Sequence, residues 1–204
     1  MTGQQGALRV EARAGAESGE IVLVDTHAHL DDPRFDPDRD EVLARAAAAG
    51  VQAVITVASN LASARRCIAL AEAYPRVFAT VGIHPHEAGG AGEDDLLQLE
   101  ELARHRRVVA VGEIGLDYYY QHAPRPVQRD LFVRQLDLAL RLDLPVIIHD
   151  RDAHDDVLSL VEAAWQPGRL RGVFHAFTGD ADMARRCLEL GFYLLELALE
   201  LATD

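Results

Sequence analysis

Two histidines one residue apart, His27 and His29, close an apolar run that begins Val22-Leu23-Val24. Residues at i and i+2 of a strand point to the same side. The pair can therefore offer two imidazoles to one divalent metal where the strand gives way to a loop. An isolated His-x-His reads equally as two ordinary loop histidines. Four other apolar runs, however, also end in metal-binding side chains: Ile83-His84-Pro85-His86, Val111-Gly112-Glu113, Ile147-Ile148-His149 and Val173-Phe174-His175. Several unrelated segments that each end this way make a constellation, provided the fold brings those ends to one rim.

The elements that must do so are legible in the pattern. Short apolar runs fall near 21–25, 51–58, 77–83, 108–114, 145–149, 171–176 and 191–195. They are nearly continuous in Val, Ile, Ala and Leu, as parallel strands covered on both faces are. Amphipathic helical stretches lie between them: Asp38 to Ala49 before Gly50, a stretch capped by Ser59 or Asn60 and running to Tyr74, and one with Leu96, Leu99, Leu102 and Ala103 on one face. Gln128 to Leu142, Asp152 to Trp165 and Asp180 to Leu190 complete the set. Repeated strand–helix units predict an α/β fold, either doubly wound or a (βα)8 barrel. No G-x-G-x-x-G or P-loop follows the first strand, so nucleotide binding is unsupported. Ligand-type residues at the C-terminal ends of many strands favour the barrel, whose active sites lie on that rim.

The composition, 49% hydrophobic and 26% charged, is that of a soluble globular chain. A formal net charge of −13 argues against a broad basic face for duplex nucleic acid, though not against a phosphate ester held locally by metal ions and an arginine. The two cysteines, Cys67 and Cys187, sit among helix formers and read as reduced, packed residues rather than a disulfide framework. No run reaches membrane-span length and no secretory h-region opens the chain, so the cytoplasm is expected. Residues 1–20 read as a flexible extension and 21–204 as one domain.

The motifs Asp25-Thr26-His27-Ala28-His29-Leu30, Val81-Gly82-Ile83-His84-Pro85-His86, Val111 to Tyr119 (VGEIGLDYY), Pro145 to Ala153 (PVIIHDRDA) and Val173 to Gly179 (VFHAFTG) resemble, in order and separation, those of the TatD-type metal-dependent hydrolases and deoxyribonucleases, within the amidohydrolase-like barrels. The resemblance covers about Ile21 to Tyr193. It implies a TIM-like (βα)8 barrel, a two-metal site and phosphodiester hydrolysis. Two divalent ions about 3.5–4 Å apart supply both a nucleophile at neutral pH and charge stabilisation on phosphoryl oxygens. His27 and His29 would hold one ion and His149 and His175 the other. The resemblance makes Glu113 the bridging, catalytic carboxylate, where the plainer reading is a rim salt bridge. Gly112 and Gly115 beside it suggest tight backbone space for a ligand. The metal stays open among Mg, Mn, Zn and Co.

His84 and His86 could be ligands too, but the resemblance makes them lining of the substrate pocket. Arg151 is the best candidate to clamp phosphate, against a surface ion pair with Asp150 or Asp152. One of the aromatics that follow Asp117 could stack on a nucleobase, or the group could simply pack over the rim. The expected substrate is DNA at single-stranded ends, attacked as by a 3′-exonuclease. The alternatives are an amide or ester hydrolase on the same barrel, and a non-catalytic chain. The last arises because family members continue to an eighth strand bearing a metal-binding aspartate, whereas seven strands are legible here and the stretch after Tyr193 departs from the pattern. Asp204 is a weak substitute for that aspartate. Without an eighth strand, the first and seventh would have open edges.

Overall fold

The computed structural model describes residues 23–195. Seven strands pair in the order of the sequence, all parallel: β1 (Leu23–Ala28), β2 (Val51–Thr56), β3 (Val77–Val81), β4 (Val108–Asp117), β5 (Val146–Arg151), β6 (Gly172–His175) and β7 (Tyr193–Leu194). A doubly wound sheet reverses its strand order at a switch point, and this one does not. Sequential parallel order is the winding of a (βα)8 barrel. The curl is visible in one contact: the rings of His27 on β1 and His175 on β6 stack with centroids 3.5 Å apart. In a flat sheet, strands five apart would be separated by about 24 Å at ~4.8 Å per strand. The seven strands therefore form a curled half-barrel.

Six helices connect the strands: α1 (Arg39–Ala48), α2 (Leu61–Ala73), α3 (Glu93–Ala103), α4 (Arg125–Leu142), α5 (His154–Ala164) and α6 (Ala181–Glu189). Their ends follow local chemistry. Asn60 accepts the Ser63 N–H to start α2, and Asp180 accepts the Met183 N–H to start α6. Gly50, at φ +95°, lies just past α1. Apolar packing is divided among three clusters. One joins β4, β5 and β6 to α4, α5 and α6 around Phe132, Leu136, Ile148 and Phe174. A second joins β2 and β3 to α2 and α3 around Cys67, Val77, Val81 and Leu99. The third is small and lies on the concave face, where Val57, Ala110 and Ile147 meet Ile55 and Val173.

Two expectations need correction or fall outside the described residues. Burial on both faces suits β3, β4 and the first half of β5, but not β1, whose Leu23 and Val24 are 45% and 39% exposed. Among the described residues β1 has one strand neighbour, and α1 beside it buries no residue. The expected extension (1–20) and the stretch after residue 195, including Asp204, lie outside the described residues. Among those described, β1 and β7 each pair on one side only.

Candidate metal centre

Three of the five expected ligands arrive at or just beyond the C-terminal end of a strand, and the other two lie further inside. His27 closes β1, and His29 follows it. Glu113 lies within β4, His149 within β5, and His175 ends β6. Strands β4, β5 and β6 are held in register by Ile114↔Ile148, Gly115↔His149 and His149↔His175. The glycines flanking Glu113 turn out to make room for β5 rather than for a ligand. A Cβ on Gly112 would sit 2.6 Å from Ile147 Cβ, and one on Gly115 2.0 Å from the His149 carbonyl oxygen, where φ is +143°. Close approach of β4 and β5 is what sets Glu113 and His149 side by side. The Glu113 N–H also donates to Ala58 O at 3.0 Å, and Thr80 Oγ1 donates to Gly112 O.

Glu113 is the centre of the cluster. His149 Nδ1 lies 2.9 Å from Oε1 and His27 Nε2 3.4 Å from Oε2. Burial would push this carboxyl up, but the His149 and His27 contacts outweigh it and hold the group well below the usual carboxylate range. His149 has a carboxylate at each nitrogen, with Asp117 Oδ2 3.2 Å from Nε2. Burial opposes its charge, and the two carboxylates overcome that and raise its pKa, so binding a metal through this ring would release a proton. Two groups of three donors each lie within 4.8 Å of one another: His27, His29 and Glu113, and His84, Glu113 and His149. Glu113 is common to both.

The donor chemistry fits a metal. His29 Nδ1 lies 3.0 Å from the Val57 carbonyl, which only accepts, so Nδ1 carries the proton and Nε2 keeps a free lone pair. Both nitrogens of His27 and Nδ1 of His175 are buried without a hydrogen-bond partner among the described residues. Orphaned imidazole nitrogens facing a buried carboxylate are what a Lewis acid would satisfy. Burial first, with the neighbouring His27, pushes His175 down to about 4, so the ring is neutral, as a ligand must be.

His84 and His86 are brought to the same rim but differ in role. Burial pushes His84 down to about 3. Its Nδ1 accepts the His86 N–H at 3.2 Å, which leaves the ring proton on Nε2. In that tautomer His84 is a hydrogen-bond donor facing the cluster. His86 Nε2 lies 2.7 Å from Asp117 Oδ2. Arg151 makes neither of the ion pairs considered for it: Asp150 is taken by His154 at 2.8 Å, and the guanidinium lies over the exposed ring of Tyr119, 4.8 Å from its centroid.

Three residues of this architecture escaped the sequence reading. Asp117 is buried, and its Oδ1 accepts the N–H groups of Tyr119 (3.0 Å) and Tyr120 (2.8 Å) while Oδ2 meets His86 and His149. Gln135 on α4 accepts the Ile83 N–H at 2.8 Å and donates to Ile83 O at 3.0 Å. Gln128, two turns earlier, accepts the Asp117 N–H at 2.8 Å and donates to Asp117 O (3.0 Å) and Ala123 O (2.8 Å). Two amides seven residues apart on the apolar face of α4 were the available signal. Buried amides need partners, and strand ends leave backbone groups in want of them.

A half-barrel of sequentially ordered parallel strands, with histidines and a shared buried glutamate at its C-terminal rim, defines a barrel of the metal-hydrolase kind. Comparison with known proteins narrows this. The family model described as TatD related DNase matches residues 24–194, and the chain belongs to that family. It is similar to the uncharacterized metal-dependent hydrolase YabD of Bacillus subtilis, with 40% identity over 175 residues, 85% of this chain and 68% of that protein. The 3′-5′ ssDNA/RNA exonuclease TatD of Cronobacter turicensis is 38% identical over 172 residues, 84% of this chain and 65% of its own length. Among solved structures, the TatD homologue YJJV of Escherichia coli superposes with a TM-score of 0.76 at 38% identity, covering 84% of this chain and 66% of that one. The chain thus spans about two thirds of the length of the relatives it matches. No described helix is long and apolar enough to cross a membrane.

Proposed function

We propose that this chain is a divalent-metal-dependent phosphodiesterase that acts on single-stranded DNA ends, with Glu113 shared between two ions. The observation that carries the reading is the buried Glu113 carboxylate, which has His149 Nδ1 2.9 Å from one oxygen and His27 Nε2 3.4 Å from the other. His27 and His29 would hold one ion. His149 and His175 would hold the other, with the buried unpartnered nitrogen of His175 in support. Divalent ions, when bound, supply Lewis acidity and activate water at neutral pH. The protein residues do the rest. Asp117 fixes the rings of His149 and His86 from behind, as carboxylates behind ligand histidines do. His84 Nε2 and the Arg151 guanidinium supply hydrogen bonds to phosphate oxygens. The relative named as a single-stranded DNA and RNA exonuclease supports the substrate class, and the net charge of −13 suits a short end better than a long duplex.

The test is hydrolysis of an end-labelled single-stranded oligonucleotide by metal-stripped protein to which Mg, Mn, Co or Zn is returned, with amides and carboxylic esters run in parallel. Shortening of the strand from its 3′ end, restored by metal and abolished by Glu113→Gln, is expected. Cleavage of amides in place of the oligonucleotide, or full activity in Glu113→Gln, would overturn the reading.

A further inference from the structure

Three consecutive tyrosines follow Asp117, and the fold separates them. Tyr118 is 8% exposed and packs with the core, its hydroxyl donating to Asp156 at 2.6 Å. Tyr119 and Tyr120 stand out at 56% and 57% exposure. Soluble domains do not usually leave two adjacent aromatics this bare beside a catalytic rim without a use for them. Their placement is rigid, because the Asp117 carboxylate holds both backbone N–H groups and Gln121 Nε2 donates to Tyr118 O at 3.0 Å.

The exposed rings form an ordered surface. Tyr120 and His122 lie nearly parallel, 8° apart with centroids at 5.7 Å, in an offset stack. Tyr119 meets Tyr120 edge-on at 4.7 Å. Arg151 sits over Tyr119, and Arg125 lies over Tyr118 at 4.1 Å, so an otherwise acidic protein presents two guanidinium groups beside its aromatic patch. The patch is continuous with the candidate metal centre. The His86 ring is 5.4 Å from Tyr120 on one side and 6.1 Å from His149 on the other.

We infer that Tyr119, Tyr120 and His122 are a stacking platform for a nucleobase next to the scissile linkage, with Arg151 on its phosphate. This rests on the phosphodiesterase reading above and specifies how a strand would be held. Stacked aromatics with flanking arginines bind unpaired bases with little regard to sequence, since every base has a π-face. A duplex covers its bases except for the outer face of the terminal pair, so the platform favours unpaired ends, whose bases can enter it singly. It also lets a chain without a broad basic surface bind a polyanion.

The experiment is equilibrium binding, without added metal, of a single-stranded oligonucleotide carrying 2-aminopurine at its 3′ end, against the same strand with an abasic 3′ residue. The wild-type chain should quench the 2-aminopurine fluorescence and bind the base-bearing strand about ten-fold more tightly, the worth of one stacked base. Tyr120→Ala should remove the quenching and reduce that preference to near unity, whereas Tyr120→Phe should keep both. Equal affinity for the two strands, absence of binding, or undiminished quenching in Tyr120→Ala overturns the platform. Cleavage of the same strands on addition of Mn separates this from the parent reading. Cleavage indifferent to the terminal base refutes the platform alone, and quenching without cleavage under any metal refutes the phosphodiesterase alone.

Discussion

Replacing the two buried glutamines of α4 by leucine measures what holds the rim in place. Gln135 is 1% exposed and serves two backbone groups, the N–H and C=O of Ile83, immediately before His84. Gln135→Leu keeps the bulk and leaves both groups buried without partners. Each such group costs about 1–3 kcal/mol, so the variant should lose about 2–6 kcal/mol. Gln128 serves three groups, Asp117 N–H, Asp117 C=O and Ala123 C=O, and Gln128→Leu should lose about 3–9 kcal/mol by the same reasoning. Against a domain stability of about 5–15 kcal/mol, the second substitution threatens folding outright. Urea titration gives the ordering directly, with the slope checked for constancy so that the midpoint reports stability. In thermal melts, the midpoint should fall by about 2–4 °C per kcal/mol. The reasoning fails if both variants stay within about 0.5 kcal/mol of wild type, or if Gln135→Leu costs more than Gln128→Leu.

Gly115→Ala should destabilise by about 3 kcal/mol or more, since the added methyl would meet the His149 carbonyl at 2.0 Å in a left-handed backbone; a melting midpoint unchanged within error would refute this. Burial, with Asp31 nearby, pushes the Cys67 thiol from 9.0 up to about 12, and burial pushes Cys187 up to about 11. Folded-state values above the unfolded one mean that stability from these groups is complete below pH 9 and is lost as pH rises toward 11–12. Cys67→Ala should flatten that alkaline decline in urea midpoints, and native protein at pH 8 should resist thiol reagents. Asp117→Asn should keep the Tyr119 and Tyr120 N–H contacts but loosen His149 and His86, lowering metal affinity or activity about 10–100-fold; calorimetric metal titration checks it.

The strand–helix alternation was readable because buried parallel strands and amphipathic helices write different periods into the chain. The elements fall where those periods change, as at Gly50 and Asn60. That His27, Glu113, His149 and His175 share a rim was also readable, since each closes an apolar run. Other features were not. The stacking of His27 on His175 depends on how far the sheet curls, which no local pattern encodes. The double service of Asp117 was hidden because the residue looks like an ordinary turn former beside tyrosines. Gln128 and Gln135 were passed over because a hydropathy stripe treats an amide on its apolar face as noise, although a buried amide is tolerated only where backbone groups await it. The glycines around Glu113 were read as space for a ligand, when the space belongs to β5.

The sequential strand order also sets the timing of assembly. Every strand pairs with its neighbours in sequence, so each strand–helix unit can dock on the one before it as it forms, each pairing spanning one helix-bearing crossover. The scaffold can grow from its N-terminal end as the chain is synthesised. The candidate metal centre cannot. Its members come from β1 and β6, and they meet only when the whole curl is in place. A metal centre whose ligands span β1 to β6 depends on the curl of the sheet and not on any single strand–helix unit.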